Sequence, residues 1–138
     1  MHQSLQIWLG DFLREAGATA GTVHLCESGG LRLHAAVNIP EPVQQVVAWV
    51  PSGKGMAGLA LQRGEPVTTC NLQDDPSGSV RPGAKAVNAQ AAIALPVRDS
   101  AGAIIAVVGL AFAEEREIGS AETLHLGELA KGIAKALD

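Results

Sequence analysis

The chain has 138 residues, and its 10 lysines and arginines against 14 aspartates and glutamates give a net charge of −4. This length suits one domain, residues 1–138. The sequence has no basic cluster and only two Phe and two Trp, which excludes nucleic-acid binding on the domain's own surface. The longest apolar run, residues 103–113, is too short to span a bilayer, and no signal peptide is recognisable, so we expect a cytoplasmic protein without membrane contact.

The first predicted elements are a helix and a hairpin. Residues 3–16 are predicted to form a helix that ends at Gly17, because their apolar side chains recur at helical spacing: Leu5, Trp8, Leu9, Phe12, Leu13 and Ala16. Strands are predicted over residues 19–27 and 31–39, since the second alternates with period two. Ser28-Gly29-Gly30 between them predicts a hairpin.

A glycine-rich stretch follows, Gly53-Lys54-Gly55-Met56-Ala57-Gly58, with the G-x-G-x-x-G spacing of dinucleotide-binding turns. Such a turn needs a buried strand leading into its first glycine. The preceding residues 41–50 instead place valines at i, i+3, i+4 and i+7, with Pro42 near the first helical position. We therefore predict that the glycines join two helices and do not bind a nucleotide.

The second half of the chain predicts three strands and a closing helix. A short strand covers residues 66–71, and longer strands cover 89–98 and 103–113, connected by a turn at 99–102. Residues 72–88 between them lack periodicity, which is typical of a lid, a binding loop or a disordered segment. The last helix is expected to begin with Ser120 as N-cap, and its buried side chains are Leu126, Leu129, Ala130, Ile133 and Leu137.

This order of elements predicts an α+β fold with an antiparallel sheet of five to six strands, because short hairpins before and after the middle helices exclude a parallel βαβ ladder. Both faces of the long strands are apolar or small, so both must be covered. We expect the N- and C-terminal helices on one face, and the short middle helices with the long loop on the other.

The sequence resembles the GAF domain family over almost its whole length, from about Leu5 to Leu137. The pieces that carry the resemblance, in their order and spacing, are residues 22–27, 31–37, the glycine-rich stretch extended to Leu61, Gly64-Glu65-Pro66-Val67, residues 92–99 with Gly102, and the closing amphipathic helix. The resemblance implies a GAF/PAS-like fold and a non-enzymatic sensory or regulatory module. Such modules bind a small molecule between the sheet and the helix–loop side, and often dimerise through their terminal helices.

Side chains around the expected pocket mix apolar, amide and cationic groups, which suits a small organic ligand better than catalysis. The candidates are Trp49, Lys54, Met56, Thr69, Cys70, Asn71, Arg81, Asn88 and Gln90. Lys54, Lys85 and Arg81 together would offer a cationic mouth for an anionic ligand, although each singly is an ordinary solvated side chain. The sequence does not identify the ligand, and we expect no catalytic residue, no metal and no cofactor.

A redox role is the alternative that the cysteines leave open. Free methionine sulfoxide reductases of GAF-like fold carry a cysteine just after the second glycine of the glycine-rich turn, where this chain has Met56. That difference argues against this enzyme. Cys70, at the end of a short strand, remains a candidate reactive thiol for a redox enzyme or redox sensor, whereas Cys26 is expected to be a small core residue.

Other ligands of the family find less support. The segment from residue 110 to 115 keeps Phe112 and acidic residues but lacks the Asn-Lys pair of cyclic-nucleotide-binding relatives, and no histidine lies in the long loop where bilin-binding relatives need one. His24 and His34 lie on neighbouring predicted strands, but a metal site needs three or four converging ligands.

Apolar residues outside the main stripes of the terminal helices predict a homodimer formed by a helix bundle. They are Ile7, Leu124 and Ala136. Extra packing against the chain's own sheet would explain them equally, and a scaffold module whose pocket is filled by its own side chains is a third hypothesis.

Overall fold

Six antiparallel strands form one sheet in a computed structural model that describes residues 3–69, 91–114 and 117–137. Their order across the sheet is β3-β2-β1-β6-β5-β4. Their bounds are β1 (Ala20–Glu27), β2 (Gly30–Val37), β3 (Trp49–Pro51), β4 (Val67–Thr69), β5 (Ala91–Arg98) and β6 (Ile104–Phe112). The sequence-based prediction of an α+β fold with a five- to six-stranded antiparallel sheet is confirmed.

Five helices cover the two faces of this sheet in the described part of the chain. They are α1 (Gln3–Ala16), α2 (Glu41–Val46), α3 (Gly55–Arg63), α4 (Ser120–Ala130) and α5 (Ile133–Leu137). The terminal helices α1, α4 and α5 share one core cluster with β5 and β6. Helix α3 packs on the opposite face of the same strands. Each sheet face is thus covered by helices, as the apolar character of both strand faces predicted. Within the described ranges, none of these helices has the length and apolar character to cross a membrane.

Helix α1 has the predicted bounds and buries the predicted stripe. Leu5 and Leu9 have no exposed surface, and Phe12 and Leu13 are also buried. Gly17 ends the helix in the left-handed conformation, with φ of +73°, and the next N–H, that of Ala18, donates to the Leu13 carbonyl at 3.0 Å. Glycine reaches this φ without strain, which explains why the helix stops there.

Two turns close the long hairpins. Between β1 and β2, Ser28 and Gly29 both have positive φ, as a two-residue hairpin loop requires. Between β5 and β6, the Asp99 side chain accepts hydrogen bonds from the N–H groups of Ala101 and Ala103 at 2.9 and 3.0 Å. Local residue chemistry therefore forms both connections.

The segment before the glycine-rich stretch differs from its prediction. Helix α2 ends at Val46, and Trp49–Pro51 forms an edge strand paired with β2, so the glycines connect a strand to a helix and not two helices. The prediction was wrong because Val43 and Val50 share a helical spacing but are buried from different elements. The exposed edge of β2 offers hydrogen bonds that a longer helix would leave unmade, and valine suits a strand.

The closing helix is divided where one continuous helix was predicted. Helix α4 ends at Ala130, and α5 begins at Ile133 after a turn that contains Gly132. A Cβ atom on Gly132 would lie 3.2 Å from Nε1 of Trp8, so the absence of a side chain there lets Trp8 of α1 pack closely against this turn. The residue before α4 is Gly119 and not Ser120, and no side-chain hydrogen bond caps the helix. The predicted loop over residues 72–88 lies outside the described residues.

Candidate functional site

A cavity of about 140 Å³ lies between the sheet and the side that carries α2 and α3. Small residues of β5 and β6 form part of its lining, among them Ala92, Ala94, Gly109 and Ala111. The same strands place Leu95, Val108 and Phe112 in the core cluster on the other face. Side chains of adjacent strand residues point to opposite faces, so this alternation of small and large residues leaves space on one side only.

The opposite wall of the cavity is aliphatic. Val43 of α2, Val47 just after it and Val50 of β3 contribute to this wall, and Met56 and Ala57 contribute from the start of α3. The short helix and the edge strand thus bring three valines to one site. A concave, mainly apolar site with few polar groups is typical of small-molecule binding.

Three of the described lining residues carry polar side chains, namely Thr22, His24 and Lys54. Lys54 is exposed, whereas His24 is only 2% exposed. Nε2 of His24 lies 2.8 Å from the carbonyl oxygen of Val47. Since a carbonyl only accepts, Nε2 carries the hydrogen and ties β1 to the end of α2. Nδ1 of the same ring is buried and has no hydrogen-bond partner in the structure as described.

The electrostatics of His24 keep its ring neutral. Burial, and to a smaller extent the nearby His34, lower the pKa of His24, against a smaller raising effect of the hydrogen bond to Val47. Desolvation disfavours the charged imidazolium because a buried charge loses its hydration. His24 is therefore a neutral ring at pH 7, with one donating and one accepting nitrogen.

The glycine-rich stretch forms a tight turn in which the backbone N–H groups of Gly53 and Lys54 are bonded internally. The N–H of Gly53 donates to the Gly58 carbonyl at 2.8 Å, and that of Lys54 donates to Pro51 at 3.1 Å. Gly53 and Gly55 have φ of +87° and +64°. A phosphate-binding turn needs such N–H groups free to point at the ligand. Together with the antiparallel sheet, these internal bonds argue against a dinucleotide site even though a strand does lead into the glycines.

The predicted site residues of the described region separate into two groups. Lys54 and Met56 line the cavity. Trp49 lies outside its lining: it pairs with Arg32 across β2 and β3, and its ring centroid is 5.2 Å from the Arg32 guanidinium carbon. Because Val50 lines the cavity, strand alternation directs its neighbour Trp49 to the other sheet face. Thr69 lies at the end of β4, opposite Ala92, and is not part of the lining.

The remaining predicted site residues lie outside the described part of the chain. They are Cys70, Asn71, Arg81, Asn88 and Gln90. The predicted cationic mouth and the predicted reactive thiol depend on this segment, so they stay predictions. The sequence reasoning missed Thr22, Val43, Val47 and Val50 as lining residues and considered His24 as a possible metal ligand or a residue on a polar strand face. The alternation of His24 with Val23 and Leu25 was the signal that marks a polar side chain on a buried strand face.

Neither Cys26 nor the histidine pair shows the arrangement of a reactive site. Cys26 is partly buried, and burial raises the pKa of its thiol, which favours the unreactive protonated form. His34 directs Nε2 to a carboxylate oxygen of Glu27 at 3.2 Å, while His24 bonds to Val47. Over the described ranges, no three His, Cys, Asp or Glu residues are placed to hold a metal ion.

Comparison with known proteins gives one family match. A sequence profile described as "GAF domain" matches residues 5–138, which is nearly the whole chain. No curated protein matches the sequence significantly.

Solved structures of several kinds share the fold. A type II free methionine-R-sulfoxide reductase from Thermoplasma acidophilum is 18% identical, with a TM-score of 0.76 over 99% of this chain and 91% of the other. The GAF domain of a phosphoenolpyruvate-protein phosphotransferase from Coxiella burnetii is 20% identical, with a TM-score of 0.75 over 99% and 83%. A domain of a putative two-component sensor histidine kinase protein from Sinorhizobium meliloti is 16% identical, with a TM-score of 0.73 over 99% and 90%. At these identities the likeness concerns the fold alone.

Proposed function

Because the chain belongs to the GAF domain family, we propose that it is a non-enzymatic sensory or regulatory module that binds a small molecule in the cavity between the sheet and helices α2 and α3. The observation that carries this proposal is the cavity of about 140 Å³, whose described lining is mainly aliphatic and includes one buried neutral histidine. Such a lining, mainly aliphatic with few polar groups, retains and orients a small molecule, which favours binding over catalysis in this proposal.

The sheet connects this cavity to the terminal helices. Ile93 and Leu110 line the cavity and also belong to the core cluster that contains Leu5 and Leu9 of α1. A ligand that shifts β5 and β6 would therefore change the surface on which α1 packs. Packed cores transmit such shifts because they contain few voids that absorb them. Signalling in our proposal follows this path, from the cavity through the two central strands to the terminal helices.

We also propose that the module forms a homodimer through these helices. Ile7 of α1 is 61% exposed and Leu124 of α4 is 71% exposed, so neither contributes fully to the core. The exposed leucine and isoleucine support an interface because burying them against a second copy removes apolar surface from water. Ala136, the third predicted residue, is partly buried against the chain's own core, which favours internal packing at that position.

The fold likeness to a methionine-R-sulfoxide reductase makes a redox activity through Cys70 the second candidate. The described residues give it no further support, since Cys26 has a raised thiol pKa and Met56 stands in the glycine-rich turn. We expect no turnover of free methionine sulfoxide with a thiol reductant. If the wild-type protein reduces free methionine sulfoxide and Cys70→Ser abolishes this activity, the enzymatic proposal replaces the sensor proposal.

A ligand screen by thermal shift tests the proposal, with native mass spectrometry of the purified protein to detect a retained molecule. A ligand that binds the native state raises the unfolding temperature, and its effect grows with concentration. Ala57→Leu adds three carbon atoms at the cavity wall and should abolish the shift. The control is Ala121→Leu on the exposed surface of α4, which should leave it intact.

If no compound in a broad screen raises the unfolding temperature of the wild-type protein and no retained molecule is found, the ligand-sensing proposal fails. That result would favour the hypothesis of a scaffold module whose pocket is filled by its own side chains. A shift that Ala57→Leu leaves unchanged would place the ligand at another site.

A further inference from the structure

We propose that the ligand of this cavity is an uncharged, largely apolar molecule, about the size of a substituted benzene ring, that donates a hydrogen bond from an O–H or N–H group to Nδ1 of His24. This inference rests on the proposed function and specifies the chemistry of the same site. It follows from three properties of the cavity: the hydrogen-bonding state of His24, the volume and the distribution of charge.

The hydrogen-bonding state of His24 determines which partner its ring requires. The bond of 2.8 Å between Nε2 and the Val47 carbonyl places the ring hydrogen on Nε2. A neutral imidazole carries one such hydrogen, so Nδ1 is an acceptor and cannot donate. A ligand group that only accepts, such as a ketone or an ether oxygen, therefore finds no partner at this atom.

The burial of His24 gives this acceptor an energetic consequence. The side chain is 2% exposed, and Nδ1 has no partner among the described residues. An unpaired buried acceptor is destabilising because it has lost its hydration without gaining a partner, so native proteins rarely keep one without a reason. A donor on a bound molecule removes that cost and at the same time satisfies its own hydrogen. The site thus discriminates between a donor and an isosteric apolar group.

The volume limits the size of the ligand. A cavity of about 140 Å³ is close to the engineered apolar cavity of about 150 Å³ that binds benzene. A single substituted ring, or a branched aliphatic molecule of similar volume, fits such a space. A larger ligand would have to extend out of the cavity or displace the wall made by α2 and α3.

The distribution of charge favours an uncharged ligand. Among the described lining residues the one ionised side chain is Lys54, and it is exposed. A charged group within the aliphatic part would lose its hydration without gaining an opposite charge. An anion near Lys54 remains compatible with the site, but it would lie at the rim and not beside His24.

The test compares phenol with toluene, which have nearly the same shape and differ in one O–H group. The measured quantity is the ratio of the toluene Kd to the phenol Kd, determined by titration calorimetry or by ligand-observed NMR. Both probes occupy nearly the same volume, so a change in cavity size affects both Kd values similarly and has little effect on their ratio.

Two variants measure how much the Nδ1 acceptor contributes to the preference for phenol. His24→Leu and His24→Asn are similar in shape, and both lose the hydrogen bond to Val47, but the asparagine keeps an oxygen close to the position of Nδ1. We expect His24→Leu to lower the preference for phenol by about tenfold relative to the wild type, and His24→Asn to retain it within about threefold. Equal ratios in the wild type and in both variants would overturn the inference while leaving ligand binding in the cavity intact.

Failure of the proposed function gives a different result. If neither phenol nor toluene binds the wild type at millimolar concentration, and Ala57→Leu changes nothing, both the sensor proposal and this inference fail. If the His24 variants do not fold, NMR of the wild-type protein with ¹⁵N-labelled histidine tests the inference instead. Phenol should shift the Nδ1 resonance of His24 more than toluene does, and equal shifts with the two probes would overturn the inference.

Discussion

At the scale of single residues, His24 combines two features that rarely occur together in folded proteins. It is buried like a core residue, yet it retains a polar atom without a partner in the described structure. Buried histidines normally satisfy both ring nitrogens, because each unmade hydrogen bond lowers stability. The bond to Val47 fixes the ring between β1 and the end of α2, so the residue also connects the sheet to the cavity wall.

The lowered pKa of His24 predicts that stability falls in mild acid. The folded-state pKa lies below the unfolded value of 6.5, because burial disfavours the charged ring. The unfolded state then binds more protons below that pH, so the free energy of unfolding decreases as the pH falls, by at most about 1.4 kcal/mol per pH unit for one site. His24→Asn should remove this contribution.

Urea unfolding of both proteins between about pH 8 and pH 5 measures this contribution and avoids the range in which carboxylates titrate. Glu27 titrates further into the acid range, because hydrogen bonds from His34 and Arg32 lower its pKa. Identical pH dependence in the wild type and in His24→Asn would show that His24 does not titrate differently in the two states.

At the scale of elements, the glycine-rich stretch positions α3 against the sheet. Gly58 is buried in this helix, and a Cβ atom there would lie 2.5 Å from the carbonyl oxygen of Pro51. The turn and the edge strand β3 can approach the helix only because this side chain is absent. The glycines thus determine the distance between α3 and β3, which both line the cavity.

Two glycine-to-alanine substitutions in helices should have opposite effects. Gly58→Ala should lower the free energy of unfolding by about 1–3 kcal/mol, because the added methyl group collides with the backbone of Pro51. Gly127→Ala in α4 should raise it by about 0.5–1 kcal/mol, since nothing lies within 4 Å of the new atom and alanine favours the helix. Chemical denaturation of the two variants measures both effects, and destabilisation of similar size in both would contradict this account of Gly58.

At the scale of the whole molecule, the sheet separates two functions that we propose for the domain. The cavity lies on the face of α2 and α3, while Ile7 and Leu124 are exposed on the terminal helices that pack on the other face. An apolar pair on the surface is compatible with a monomer, since soluble proteins expose scattered apolar side chains. The dimer proposal is supported by the position of Ile7 and Leu124 on the two terminal helices.

The combined substitution Ile7→Lys and Leu124→Lys should therefore convert a dimer into a monomer, because two buried charges per subunit would be unpaired in the interface. Val46→Lys is the matched control: Val46 is 52% exposed on α2, away from the terminal helices, and its substitution should leave the dimer intact. Light scattering at high micromolar concentration measures the mass of each protein. A monomeric wild type at that concentration would contradict the proposed dimer.

Local periodicity and turn residues such as Gly17 and Asp99 were enough to predict the fold class, the bounds of α1 and the two long hairpins. The family was identified from the resemblance. Of the predicted site residues, Lys54 and Met56 line the cavity, since they belong to the glycine-rich turn that lies beside it.

The remaining features depend on contacts between elements that are distant in sequence. Trp49–Pro51 became a strand because the edge of β2 supplies hydrogen-bond partners that no local pattern reveals. That pairing directs Val50 into the cavity and Trp49 towards Arg32. His24 became the central polar group of the site because Val47, distant in sequence, lies beside it. Local spacing predicted most of the helices and strands. Contacts between distant elements decide where a helix ends beside a strand edge, which side chains line the cavity and which polar atom in it lacks a partner.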